Sequence, residues 1–331
     1  MGRLAITLAC GDYDRTRALA DGRVRVEGVE LTTLDLSPEE IFFRMVRYEE
    51  FDVAEMSLST FVLTRQQDAQ FVAIPVFPSR AFRHNGIYVS AGAGITAPGQ
   101  LVGRRVGVAE YQLTANVWIR GILADFHGVP VSSVQYVTGG LHHPGREEKV
   151  AIPDLPDGVE VTSCPPGRTL SELLLAGEID AIYTPRTPRP FLDRDPRIRR
   201  LFPDVRAAEE DYYRQTQIFP IMHVVAIRRE VYERSRWLAS SLVKAFRQAR
   251  DIAFAGLDET AALPFVLPWV YEEYDRTRAL MGDDYWSYGL TRANEHTLST
   301  FLRYSREQGL ATDGARPRDL FAPETLDALA I

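Results

Sequence analysis

The stretch Phe77-Pro78-Ser79-Arg80-Ala81-Phe82-Arg83-His84 sets two guanidinium groups and an imidazole among aromatic rings. Arginine grips a planar carboxylate through paired hydrogen bonds, and histidine titrates near neutral pH. The trio suits a site that holds an acid and moves a proton beside it. A solvated strand end with salt bridges would use the same residue types. A second histidine, His223, closes the apolar run Ile218-Phe219-Pro220-Ile221-Met222. A lone histidine there is ordinarily a hydrogen-bonded core residue. Glu110-Tyr111-Gln112-Leu113-Thr114 lies where a strand turns into a helix, so its N–H groups suit an anion. Asp12, Glu55 and Ser57 occupy matching strand ends earlier in the chain, where Asp and Ser also serve as caps. Tyr183, ending a later strand, completes the substrate-binding candidates.

Other chemistries find little support. Gly92-Ala93-Gly94-Ile95-Thr96-Ala97 has the spacing of a dinucleotide fingerprint, but Pro98 disfavours helix at Ala97. Walker A, nucleophile-elbow and H-E-x-x-H patterns are absent from the sequence. His142-His143 lies in a Gly/Pro loop and is expected to face solvent. Cys10 and Cys164 are too few for a disulfide framework or a zinc knuckle. No cofactor is called for, and a divalent metal is left open. Only Lys149 and Lys244 of the 38 basic residues are lysine, so a Schiff base has two possible sources while arginine is plentiful.

These residues need a scaffold, and 331 residues are enough for two domains of ordinary size. A net charge of −7 with mixed signs offers no footprint for nucleic acid or an acidic membrane. No apolar stretch is long enough to span a bilayer, and the first apolar run, Leu4–Cys10, is too short for a signal segment. A cytoplasmic protein is expected. Strand patterns at Leu4–Ala9, Val29–Leu34, Asp52–Met56 and Phe71–Val76 alternate with helical ones, the mark of α/β architecture. Asp14 and Ser37 read as helix caps. After a Gly/Pro-rich break a second α/β unit starts, with strand Arg105–Ala109 and helix Thr114–Phe126, followed by a polar insert over 138–157. Helical patterns at Val231–Ala255, Trp269–Met281 and Asn294–Glu307 close the chain. The order predicts a domain of 1–90 plus 225–331 with a second domain, 91–224, inserted. Two hinge strands, His84–Ser90 and Ile218–Ile227, would join them with the ligand in the cleft, the layout of type II periplasmic-binding-protein folds. Trp269, Tyr271, Tyr274, Trp286 and Tyr288 add aromatic surface for core packing or a homodimer, the preferred assembly.

Longer blocks carry a more specific resemblance. They are Ala9-Cys10-Gly11-Asp12-Tyr13-Asp14-Arg15-Thr16, Glu55-Met56-Ser57-Leu58-Ser59, the segment from Ile74 to His84, Tyr111 to Gly121, Gly177-Glu178-Ile179-Asp180-Ala181, and Phe219-Pro220-Ile221-Met222-His223. Through them, and with Asp284-Tyr285-Trp286-Ser287-Tyr288-Gly289 late in the chain, the sequence resembles the 4,5-dihydroxyphthalate decarboxylase family. The resemblance implies non-oxidative loss of CO₂ from an aromatic dicarboxylate to give protocatechuate, by acid and base groups in the cleft. Arg80 and Arg83 would then hold carboxylates and His84 would protonate the ring carbon. Glu55, Asp12 and His223 would attend the hydroxyls, with Ser57, Glu110, Tyr111, Gln112, Thr114 and Tyr183 lining the site. The alternative on the same fold is a solute-binding protein for a small aromatic or thiamine-precursor ligand.

Overall fold

The computed structural model describes residues 2–326. Among them eleven strands form two sheets: β1 (Leu4–Cys10), β2 (Val29–Asp35), β3 (Val53–Ser57), β4 (Phe71–Ile74), β5 (Ile87–Ser90), β6 (Arg105–Val108), β7 (Gln135–Thr138), β8 (Glu160–Ser163), β9 (Ala181–Tyr183), β10 (Ile198–Arg200) and β11 (His223–Arg228). The chain divides into two compact units. The first takes the chain up to Arg80, Tyr213–Leu298 and the residues from Ala315 on; the second takes Ala81–Tyr212 and Ser299–Gly314. The divisions at Arg80 and Tyr213 fall away from the expected 90 and 225, and 299–314 packs with the second unit. Side-chain packing moves it there: Trp118 of the second unit packs its ring against Phe301 and Tyr304.

The first unit is built on a sheet of order β2-β1-β3-β11-β4. β1 runs parallel to β2 and β3, whereas β11 runs antiparallel to β3 and β4. Parallel neighbours need crossovers, which helices Asp14–Ala20 and Pro38–Tyr48 supply. Ser37 caps the second, accepting from the Glu40 N–H at 3.4 Å, with Pro38 in its first turn. The first is not capped by Asp14, which lies inside it; the Tyr13 N–H donates to the Thr16 hydroxyl at 3.2 Å instead. β3 is buried at all five positions, as expected for a strand covered on both faces. Glu55 is therefore a carboxylate in the middle of a core strand.

The second unit has a sheet of order β10-β5-β9-β6-β7-β8. β6 pairs in parallel with β7 and β9, and β5 pairs antiparallel with β9 and β10. Helix Leu170–Ala176 begins at a Thr169/Glu172 capping box and stops at Gly177, whose φ of 70° suits glycine.

Several expectations shift. His84 opens a short 3₁₀ turn, His84–Gly86, and the strand begins only at Ile87. The strand expected from Ile218 begins at His223, because Pro220 interrupts the run and Met222 donates its N–H to Ser79 O at 2.9 Å. The long helix expected from Val231 is broken around Ser235 into Arg229–Arg234 and Trp237–Leu257. β8, β10 and helix Val205–Thr216 were not legible, since their residues are largely polar. Pro98 does open a 3₁₀ turn, Pro98–Leu101, with Ala97 extended before it. Among the described residues no helix is long and apolar enough to cross a membrane.

Candidate active site

The first unit gathers a compact acid–base cluster. β3 and β11 place Ser57 opposite His223 and Glu55 opposite Val225. Glu55 and His223 are thus diagonal neighbours on one face of the sheet. His223 Nδ1 lies 2.5 Å from Glu55 Oε1. The Tyr13 hydroxyl donates to the same oxygen at 2.9 Å, and the Gly11 N–H donates to Oε2 at 3.1 Å. The Cys10 thiol lies 3.6 Å from Oε2. Burial alone would raise the Glu55 pKa, but the His223 charge, its hydrogen bond, and the Gly11 and Tyr13 donors hold it below the usual range. An ionised carboxylate can only accept, so Nδ1 carries the hydrogen in this contact. His223 packs edge-on against Phe42 at 4.9 Å, which restrains the ring plane. Burial and the neighbouring Glu55 raise the Cys10 and Tyr13 pKa values, so both stay protonated.

The sequence named Glu55, Ser57 and His223, and the structure brings these three together. Asp12 lies apart in role, exposed and paired with Arg17 at 3.0 Å. Arg80 is buried and committed: it donates to Phe219 O at 3.2 Å, Ser287 O at 3.0 Å and Asn294 Oδ1 at 2.6 Å. Burial lowers its pKa to about 10. It ties three segments of the first unit together. Tyr13 and Gly11, which hydrogen-bond Glu55, were not among the candidates, although the block Gly11-Asp12-Tyr13-Asp14-Arg15 was the signal that could have found them.

The remaining candidates belong to the second unit. His84 is buried, 5.2 Å from the Phe202 ring and 5.3 Å from Tyr212, with Nδ1 unpartnered among the described residues. Burial pushes its pKa down to about 4, so at neutral pH the ring is uncharged and has no spare proton to deliver. Arg83 is half-buried, its pKa lowered to about 10 by burial against the opposing charge of Glu209. Glu110 is buried, salt-bridged to Arg146 at 2.6 Å and to Lys149, and accepts from Gln112 Nε2 at 2.8 Å. Lys149 is thus one of the two lysines, spent on an ion pair. Thr114 starts helix Thr114–His127, but the acceptor at this turn is internal: Glu148 accepts the Tyr111 N–H. The Tyr111 hydroxyl donates to Gln308 O at 3.1 Å, under the Arg120 guanidinium. Tyr183 is a core residue whose hydroxyl has no partner among the described residues.

His142 and His143 are exposed, and both cysteines are free thiols. Among the described residues no group of three or more His, Cys, Asp or Glu side chains is arranged to hold a metal ion.

A sheet with a returning antiparallel strand beside β3, repeated in a second α/β unit, defines a periplasmic-binding-protein-like fold. A periplasmic sulfonate-binding protein of Methylobacillus flagellatus superposes with a TM-score of 0.56 at 11% identity, covering 99% of this chain and 94% of its own. No family model matches the chain. A 4,5-dihydroxyphthalate decarboxylase of Comamonas testosteroni is 42% identical over 332 residues, covering all of both chains. Another, from Pseudomonas putida, is 44% identical over 215 residues, 65% of this chain and 83% of its own. The chain belongs to the 4,5-dihydroxyphthalate decarboxylase family.

Proposed function

We propose that the protein removes one carboxylate of 4,5-dihydroxyphthalate as CO₂, leaving protocatechuate, with the Glu55–His223 pair as its acid–base centre. The observation that carries this reading is the 2.5 Å contact that couples His223 Nδ1 to the buried Glu55 carboxylate.

Direct loss of CO₂ would leave a bare aryl carbanion. The hydroxyl at ring position 4 lies para to the carboxylate at position 1. Releasing its proton to the medium pushes electron density onto the carbon that bears the carboxylate. The His223 imidazolium then gives its Nε2 proton to that carbon, forming a C–H bond and a dienone. The C–C bond breaks, CO₂ leaves, and its electron pair restores the aromatic ring and the phenolate, which is reprotonated. One proton is consumed and stays on the product carbon. Glu55 stabilises the imidazolium before the transfer and orients the ring, the part a carboxylate plays beside histidine in acid–base pairs. Neutral, caged His84 is less suited to this donation, so the role moves to His223.

Incubating the protein with 4,5-dihydroxyphthalate and following protocatechuate by absorbance tests the reading, with a chelator arm to report any divalent-metal requirement. Protocatechuate and CO₂ in equal amounts are expected. Tight binding without turnover would overturn it in favour of a receptor for aromatic acids.

A further inference from the structure

Arg15 is held in an unusual way for a surface-helix arginine. Its guanidinium lies 4.2 Å from the Tyr13 ring centroid and 4.3 Å from that of Trp286. Nε donates to Pro78 O at 2.6 Å, and Nη1 meets the exposed Asp14 carboxylate at 3.1 Å. Trp286 is itself pinned, its indole N–H donating to Phe77 O at 3.0 Å. The cation is thus clamped between two rings and carries little freedom to lose on binding. It is also one side chain from the reacting pair, because the Tyr13 that covers it gives its hydroxyl to Glu55.

Tyr288 adds the second half. It is 2% exposed, and its hydroxyl has no hydrogen-bond partner among the described residues. Such a hydroxyl keeps a hydrogen that it can donate to a ligand oxygen. The charges of Arg15, Arg250 and Arg80 all act on this phenol, and the Arg250 guanidinium lies 5.3 Å from its ring centroid. Arg80 fixes the backbone just before it, through Ser287 O. Clamped cation and unpaired hydroxyl are what a planar carboxylate requires, one oxygen for each. Arg80, whose Nη groups donate to Phe219 O, Ser287 O and Asn294 Oδ1, is the positioning residue.

We propose that Arg15, with the Tyr288 hydroxyl, receives a carboxylate of the aromatic substrate, an assignment that rests on the Glu55–His223 reading above. Phthalate, which has the carboxylates without the hydroxyls, and catechol, which has the hydroxyls without the carboxylates, separate the contributions. Calorimetric titration of the full chain should show Arg15→Gln weakening phthalate about 10- to 100-fold, with catechol unchanged within about twofold. Tyr288→Phe should weaken phthalate about 3- to 10-fold. Arg15→Lys keeps the charge but loses the planar fork; it should bind phthalate several-fold more weakly than the parent and serves if the glutamine variant does not fold. Phthalate affinity unchanged in Arg15→Gln or Arg15→Lys, equal losses for both ligands, or a parent protein indifferent to phthalate would each overturn the assignment. Phthalate binding that depends on Arg15, in a protein that never decarboxylates 4,5-dihydroxyphthalate, would overturn the decarboxylase reading and leave the carboxylate site standing.

Discussion

Glu55 and His223 touch across two antiparallel strands although 168 positions separate them in the chain. The register that pairs His223 with Ser57 sets the glutamate diagonally across from the imidazole. A slip of one residue would turn either side chain to the opposite face of the sheet. The flanking positions are apolar and buried, so the core itself enforces this register. The Glu55–His223 geometry is a by-product of the packing that stabilises the first unit.

On the proposed reading the pair acts as a unit, so Glu55→Gln and His223→Gln should each lower kcat by about 10²- to 10⁴-fold. The double variant should be little worse than the poorer single one, since the second change removes nothing that still works. Losses that multiply would show that the two side chains act separately. Steady-state kinetics on 4,5-dihydroxyphthalate reads both outcomes.

His84 should make the protein acid-sensitive. Its folded pKa is about 4 against an ordinary 6.5. Below pH 6.5 the unfolded chain takes up a proton that the buried ring refuses, so stability falls as the pH drops from 6.5 to 4 and levels off below. The upper bound on the loss is about 3 kcal/mol. In His84→Phe, thermal unfolding at pH 4–7 should show a smaller loss on acidification than the parent. An identical slope would mean that the ring is charged in the fold.

Glu148 predicts the opposite trend. Burial raises its pKa to about 7, from an ordinary 4.5, despite the Tyr111 and Gln112 N–H donors. Between pH 4.5 and 7 the unfolded chain gives up this proton while the folded one retains it. Stability therefore falls as the pH rises through that window and stays lower above it. Glu148→Gln still accepts from the Tyr111 N–H but has no charge to bury. It should be more stable than the parent by about 1–3 kcal/mol at pH 8, and the gain should vanish near pH 4.5. Denaturant melts at the two pH values check it.

Gly121 tests the packing of 299–314 in the second unit. A Cβ built there would come within 2.1 Å of the Tyr304 ring, whose hydroxyl is tied to Asp125 at 2.7 Å. Gly121→Ala improves helix propensity, yet the ring has to shift, and a net destabilisation of about 1–3 kcal/mol follows. Tyr304→Leu in the same background should recover part of it. An alanine variant as stable as the parent would show that the ring moves freely.

Legibility tracked locality. Ser37-Pro38 was visible because capping chemistry acts within a few residues. Glu55 could be nominated from its place at an expected strand end, and His223 because a titratable group in an apolar run stands out. His84 and Arg80 stood out equally, yet one is caged neutral by Phe202 and Tyr212 and the other is consumed by Ser287 and Asn294. Nothing local distinguishes these fates, because burial and partners come from segments more than a hundred residues away. Glu148, 37 positions from Tyr111, likewise fills from outside the local sequence the N–H turn that looked free for a ligand.

By itself the sequence determined the α/β class, the order of most elements and, through its long matching blocks, the family. The first two follow from periodicity and short-range backbone chemistry; the family rests on the resemblance those blocks carry. Which of many arginines and histidines keep a usable charge or proton was decided only in three dimensions. Desolvation and hydrogen bonding set that outcome, and both depend on the strand register and on the side chains that register brings into contact.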